Sequence, residues 1–126
     1  MAENKEYRVR SGEDGNVQIS EEVICTIAAA AVLDVDGVES LSSGPLNVEN
    51  IAEKLSKSAT RLIKLTVNDT SLSIECGIIV AYGYDVVEVA KNVQLSVSNA
   101  VSSMTGFTIE KVDIHVSSIA VARKKQ

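Results

Sequence analysis

The chain has 126 residues, of which 45% are hydrophobic and 23% charged, enough for one folded domain with its own core. A net charge of −5 excludes a general nucleic-acid binder, because affinity for phosphates needs a clustered basic face. Aromatic residues make up only 3% and Trp is absent, so a core must be built from Val, Ile, Leu and Ala, and stacking platforms for bases or sugars are scarce.

Residues 1–14 mix both charges with Ser, Gly and Asn, the composition of a flexible tail, and carry no apolar segment of a secretory signal. A single domain is expected over 15–121. Val17 and Ile19 suit a short strand. Ser20 then supplies an N-cap, and Glu21 and Glu22 fall in a first helical turn, where carboxylates complement the helix dipole. The helix expected over 21–34 is apolar nearly all round, and its run Ala28–Ala31 allows close approach of another element. Gly37 suits the left-handed position that ends it, with a short strand over Val38–Leu41. Ser42, Ser43, Gly44 and Pro45 break regular structure, and residues 48–57 read as a short amphipathic helix.

Ile63, Leu65 and Val67 alternate with Leu62, Lys64 and Thr66, and turn residues from Asn68 to Ser71 lead into a second alternating run, Leu72 to Tyr82. That pattern predicts a β-hairpin. The period then changes. Val86, Val89, Ala90, Val93, Val97, Ala100, Val101 and Met104 recur at helical spacing over about 20 residues. Asp85 with Glu88 three residues on makes a capping-box-like start, and Gly106 ends the helix. In the last strand Val112, Ile114 and Val116 share one face, leaving Lys111, Asp113 and His115 on the wetter one. Residues 122–126 form a basic tail. The longest apolar run, Val23 to Leu33, is far shorter than the roughly 20 residues that span a bilayer, so direct membrane insertion is not expected.

The inventory for chemistry is thin. His115 is the sole histidine and shares its strand face with no evident base or metal partner. Cys25 and Cys76 sit within apolar patterns at no metal or redox spacing, which reads as two buried, reduced thiols of an intracellular protein. Asp34, Asp36 and Glu39 mimic the head of a calcium loop, but the glycine comes too early and Pro45 stands where the closing glutamate belongs. Gly83 precedes a helix without the further glycines or the lysine of a phosphate loop. No catalytic, cofactor-binding or metal-ligating residue is assigned, no cofactor is expected, and the chain reads as a non-enzyme.

Three segments, VQISEEVICTIAAAAVLDVDGV, IIVAYGYDVVEVAKNVQLSV and AVSSMTGFTIEKVDIHVSSIAV, resemble the alkaline-shock-protein family, envelope-stress proteins of Gram-positive bacteria. The likeness runs from Asn16 to Val121. Its most specific pieces are Tyr82-Gly83, Val93-Gln94, Met104-Thr105-Gly106 and the strand from Val112 to Val116. The resemblance implies a small, non-enzymatic cytoplasmic protein that self-associates as a homo-oligomer. In some members a membrane-anchored partner holds the protein at the inner membrane face, and others are tied to lipid metabolism. The expected fold is α+β: a two-layer sandwich whose four- to five-stranded, largely antiparallel sheet carries two main helices on one face. The expected function is interaction or scaffolding in envelope-stress homeostasis, with self-contact through spare apolar surface of the first helix or the Leu95 side of the second. The alternative is a sensor of a lipid or metabolite with a pocket between the first helix and the sheet.

Overall fold

The computed structural model describes residues 6–42, 62–68 and 71–121. Strands β1 (Glu6–Gly12) and β2 (Gly15–Ser20) form a hairpin of their own; α1 (Glu21–Leu33), β3 (Val38–Ser42), β4 (Ile63–Asn68), β5 (Ser71–Ala81), α2 (Val86–Thr105) and β6 (Thr108–Ala120) follow. The helix expected over 48–57 and the basic tail at 122–126 lie outside the described residues.

β5 is the centre of the main sheet. β6 pairs with it in parallel from Ser71 to Ala81, while β3 and β4 run antiparallel to it on the other edge. They share that edge end to end. Ser42 is opposite Gly77, and Ile63 is opposite the next residue, Cys76. β3 and β4 therefore occupy consecutive register positions along that edge, in the manner of two pieces of one edge strand. Among the described strands three of the four pairings are antiparallel. The parallel β5–β6 pair needs a crossover, and α2 supplies it.

Alternation puts Leu72, Ile74, Cys76, Ile78 and Val80 on the buried face of β5. Both helices cover that face: α1 lies against β3 and β4, α2 against β6, and the two pack on each other. Each wholly buried valine of α2, such as Val93, Val97 or Val101, is worth about 1.5 kcal/mol or more relative to exposure. The opposite face of the sheet presents Lys64, Glu75, Lys111, Asp113 and His115 to solvent.

Local chemistry fixes the helix ends. The Ser20 hydroxyl accepts from the Val23 amide at 3.4 Å, and Asp85 accepts from Val87 and Glu88 at 3.0 and 3.2 Å, leaving fewer orphan amides in each first turn. Gly106 takes φ +85° and its amide donates to the Ser102 carbonyl. Thr105 donates to the Val101 carbonyl at 2.6 Å and accepts from the Phe107 amide at 3.2 Å, so it closes the helix and starts the turn into β6.

Two expectations need correction. The proposed flexible stretch 1–14 contains β1, joined to β2 through Glu13 and Asp14, with Gly15 at φ +122°. The alternation of Tyr7 and Val9 with Arg8 and Arg10 carries that strand, and charge content alone hides it. Met104 belongs to the predicted apolar stripe but is 68% exposed. Residues 89, 93, 97, 101 and 105 are the buried ones, an i+4 ridge that turns about 40° further with each step. By the last turn Thr105 faces the core instead of Met104.

Gly37 is closely packed where Gly83 and Gly106, which also have positive φ, are open. Its φ is +96°, and a Cβ there would lie 2.7 Å from Val89 Cγ2 and 2.8 Å from Tyr84 Cδ2. Gly37→Ala therefore combines left-handed strain with overpacking and is expected to cost about 2–4 kcal/mol in urea unfolding. Gly83→Ala, with φ +104° but nothing within 4 Å, should cost only about 1–2 kcal/mol. Equal losses would mean that the contact with α2 contributes nothing. In the same assay Val97→Asp, at a fully buried site, should cost about 3–5 kcal/mol. Asn99→Asp, on the exposed side of α2, should change stability by no more than about 0.5 kcal/mol.

Candidate functional site

The groups able to do chemistry are dispersed. Cys25 is wholly buried on α1, and its thiol points at the Ile63 carbonyl at 3.8 Å. Burial raises its pKa to about 12, with smaller contributions from Glu21 and Glu22. Cys76 faces the same core from β5, also raised to about 12 by burial and then by Glu75. Both are free thiols, and such a shift leaves almost no thiolate near neutral pH. Asp34 and Asp36 are exposed. Among the described residues no group of three or more His, Cys, Asp or Glu side chains is placed to hold a metal ion.

His115 is exposed on β6, opposite Gly77. Lys111 and Asp113 beside it form an ion pair of 3.7 Å with side chains 64% and 59% exposed, an arrangement worth at most about 1 kcal/mol. Lys64, Glu75 and Asp113 fall in one row across β4, β5 and β6. They line an open polar depression with Thr66, Ser73 and Lys111.

The segments that carry the family likeness hold the fold together. Gly83 makes the turn from β5 into α2 with positive φ, and Tyr84 covers Gly37. Gln94 donates from its Nε2 to the Val112 carbonyl at 2.9 Å, tying α2 to β6, and Ser96 donates to the Ala31 carbonyl at 3.0 Å, tying α2 to α1. Thr105 and Gly106 form the helix end described above. These are corners, caps and cross-ties.

The features left for function are surfaces. A groove between the helices is lined by Thr26, Ile27 and Ala30 of α1 and by Ser96, Ala100 and Met104 of α2. A second groove lies between the flank of α2 and β6, where Lys91, Gln94, Leu95 and Ser98 overlook Ile109 to Asp113. Leu95 is 62% exposed there, as the pattern predicts. Tyr82, Tyr84 and Val87 are also exposed at the turn into α2. The sequence pattern ran Tyr82 on with the alternation of β5 and put Met104 in the buried stripe of α2, and it held no signal for the exposure of Tyr84 and Val87.

The described residues make a two-layer α+β domain with two buried thiols and open grooves along its helices. Its family follows from comparison with known proteins. The profile of the alkaline-shock-protein family, described as having a cell envelope-related function, matches residues 10–121, and the chain belongs to that family. The chain is 32% identical to the protein YloU of Bacillus subtilis (strain 168) over 108 residues, covering 85% of this chain and 90% of that protein. It is 28% identical to YqhY of the same organism over 113 residues, covering 89% and 82% respectively. Streptococcus pyogenes serotype M6 (strain ATCC BAA-946 / MGAS10394) has a relative, Spy1614, 26% identical over 110 residues and covering 86% and 91%. Among solved structures, the cadmium form of the MamM CTD variant H285D aligns with a TM-score of 0.48 at 16% identity, over 77% of this chain and 94% of that one. No helix among the described residues is long and apolar enough to cross a membrane.

The thiols give a pH dependence with a fixed sign. Their folded pKa values, about 12, lie above the ordinary thiol value of 9.0. The stability this contributes is full below about pH 9 and is lost as pH rises toward 12, because the unfolded chain releases those protons first. A Cys25→Ala, Cys76→Ala variant should show a shallower fall in melting temperature across that window than the parent chain. Parallel curves would show that the two thiols do not contribute.

Proposed function

We propose that this protein is a non-enzymatic interaction module in cell-envelope stress homeostasis. It works by self-association and by engaging a membrane-anchored protein that brings it to the inner, cytoplasmic face of the membrane. The observation that supports this most is the distribution of exposed apolar residues: Leu95 on α2 and Ile119 on β6 are 62% and 41% exposed, on the flank of the domain where β6 has no second neighbour among the described strands. Large apolar side chains along an unpaired flank suit contact with another protein surface better than they suit solvent. Membership of a family described by envelope function supports the cellular setting. The buried thiols and the single exposed histidine support the non-enzymatic reading.

A second reading rests on the groove between α1 and α2. Its floor of Ala30, Ala31, Ser96 and Ala100, with Met104 at one end, would suit an acyl chain or another slender apolar ligand, as a lipid sensor requires. The two readings separate cleanly. Sedimentation velocity from about 1 to 100 μM should show the weight-average sedimentation coefficient rising with concentration, while added fatty acid or phospholipid leaves the melting temperature unchanged. Saturable thermal stabilisation by one lipid, with a strictly monomeric protein throughout, would replace the first reading with the second.

A further inference from the structure

We propose that the open edge of β6 is the self-association surface, pairing antiparallel with β6 of a second copy about a two-fold axis at Ile114; this rests on the self-association reading above. Among the described residues β6 is a 13-residue strand with β5 on one edge and no strand on the other. The opposite edge of the sheet is less suited, since it is divided between β3 and β4.

The occupant and the register follow from β6 itself. The pairing with β5 is interrupted at Glu110 and again at Ser117, leaving Lys111 to Val116 as the regular stretch. A two-fold axis normal to the sheet keeps each pair of facing residues on the same side, so the centre must fall on a residue. Centred on Asp113, the pairing sets two like charges directly opposite each other, which is unfavourable. Centred on Val112, it runs the Glu110 irregularity into Ile114 of the partner. Centred on Ile114, it sets Asp113 opposite the partner's His115 twice, and Val112 opposite the partner's Val116 twice.

That last register also survives the irregularities. Glu110 and Lys111 in one strand stand against Ser117 and Ser118 in the other, so the residue counts match and Ile109 meets Ile119 of the second copy. Ile109 shares its groove with the exposed Leu95. The same two-fold thus brings the exposed apolar groups of α2 and β6 together on the helix side, and the carboxylate–imidazole pairs together on the polar side. The ion pair between Lys111 and Asp113 is exposed and leaves Asp113 able to engage a partner. Gln94 occupies only one of the two lone pairs of the Val112 carbonyl. A heterologous protein strand would match the edge but would have no reason to match this internal symmetry.

Cysteine cross-linking tests the register, since the two native thiols are buried and free. Facing residues in antiparallel strands have Cα atoms about 4.5–5.5 Å apart, within disulfide range. Diagonal neighbours are about 7–8 Å apart, at or beyond its limit. The full-length chain is made as Asp113→Cys and as His115→Cys, and each is oxidised alone and mixed with the other at an associating concentration. Disulfide-linked dimer is expected on mixing at least tenfold above the level of either alone. As a second measurement on the same exposed sites, Asp113→Lys should raise the dimer dissociation constant about tenfold, and adding His115→Glu in the same chain should restore it, with melting temperatures unchanged when measured at dilute, monomeric concentration. Concentration-dependent assembly with no enhancement on mixing, and no response to the charge reversal, would overturn the edge assignment and leave self-association standing. A protein monomeric at every concentration would overturn both.

Discussion

β5 holds hydrogen-bonded neighbours along its whole length on both edges and buries every second side chain beneath two helices. This double demand organises the domain. A parallel neighbour on one edge forces a crossover long enough to return the chain, so α2 must span the sheet and carry a buried stripe along it. An antiparallel neighbour on the other edge is met in two pieces, β3 and β4, with the register running on from Gly77 to Cys76. Gly37 packs against Tyr84 and Val89, which ties the α1–β3 connection to the start of α2.

Much of this was legible from the residues. Strand β5 and helix α2 stood out because their periods, two and then 3.6, are nearly free of exceptions, and because Asp85 and Gly106 are strong boundary signals. The position of His115 on the wet face and the exposure of Leu95 followed from the same alternation. What could not be read was anything set by distant neighbours. The parallel pairing of β6 is a property of how α2 returns. The shared edge of β3 and β4 depends on chain 20 residues apart in sequence, and Met104 is exposed because the helix crosses its support along an i+4 ridge. β1 was hidden because its alternation is written in arginine and tyrosine within a charged segment.

The candidate site was legible mainly as the lack of a chemical motif. The pieces most specific to the family, Tyr82-Gly83, Val93-Gln94 and Met104-Thr105-Gly106, invite a search for a reaction centre. In the folded chain they serve a tight turn, a cross-tie from Gln94 to the Val112 carbonyl, and a helix end closed by Thr105. A family held together by corner and cap residues specifies a shape and the surfaces that shape presents. On the proposed reading, function resides in edges and flanks whose residues are individually ordinary: Asp113, His115, Ile119 and Leu95 would act only through their arrangement about Ile114. Such an arrangement is hard to find in sequence, because a two-fold relation within one strand looks the same as ordinary alternation.

The most direct measurement is amide hydrogen exchange followed residue by residue at dilute and at associating concentrations. Amides of β5 should be protected at both, as the strand bonded on two edges. Alternate amides of β6 between Val112 and Val116, those not engaged with β5, should exchange freely when dilute and gain protection as the protein associates, while β1 and β2 stay unchanged. Exchange in β5 as fast as in the β1–β2 hairpin would contradict the central place given to that strand. Protection of β6 that ignores concentration would contradict its role as the surface through which copies of this chain meet.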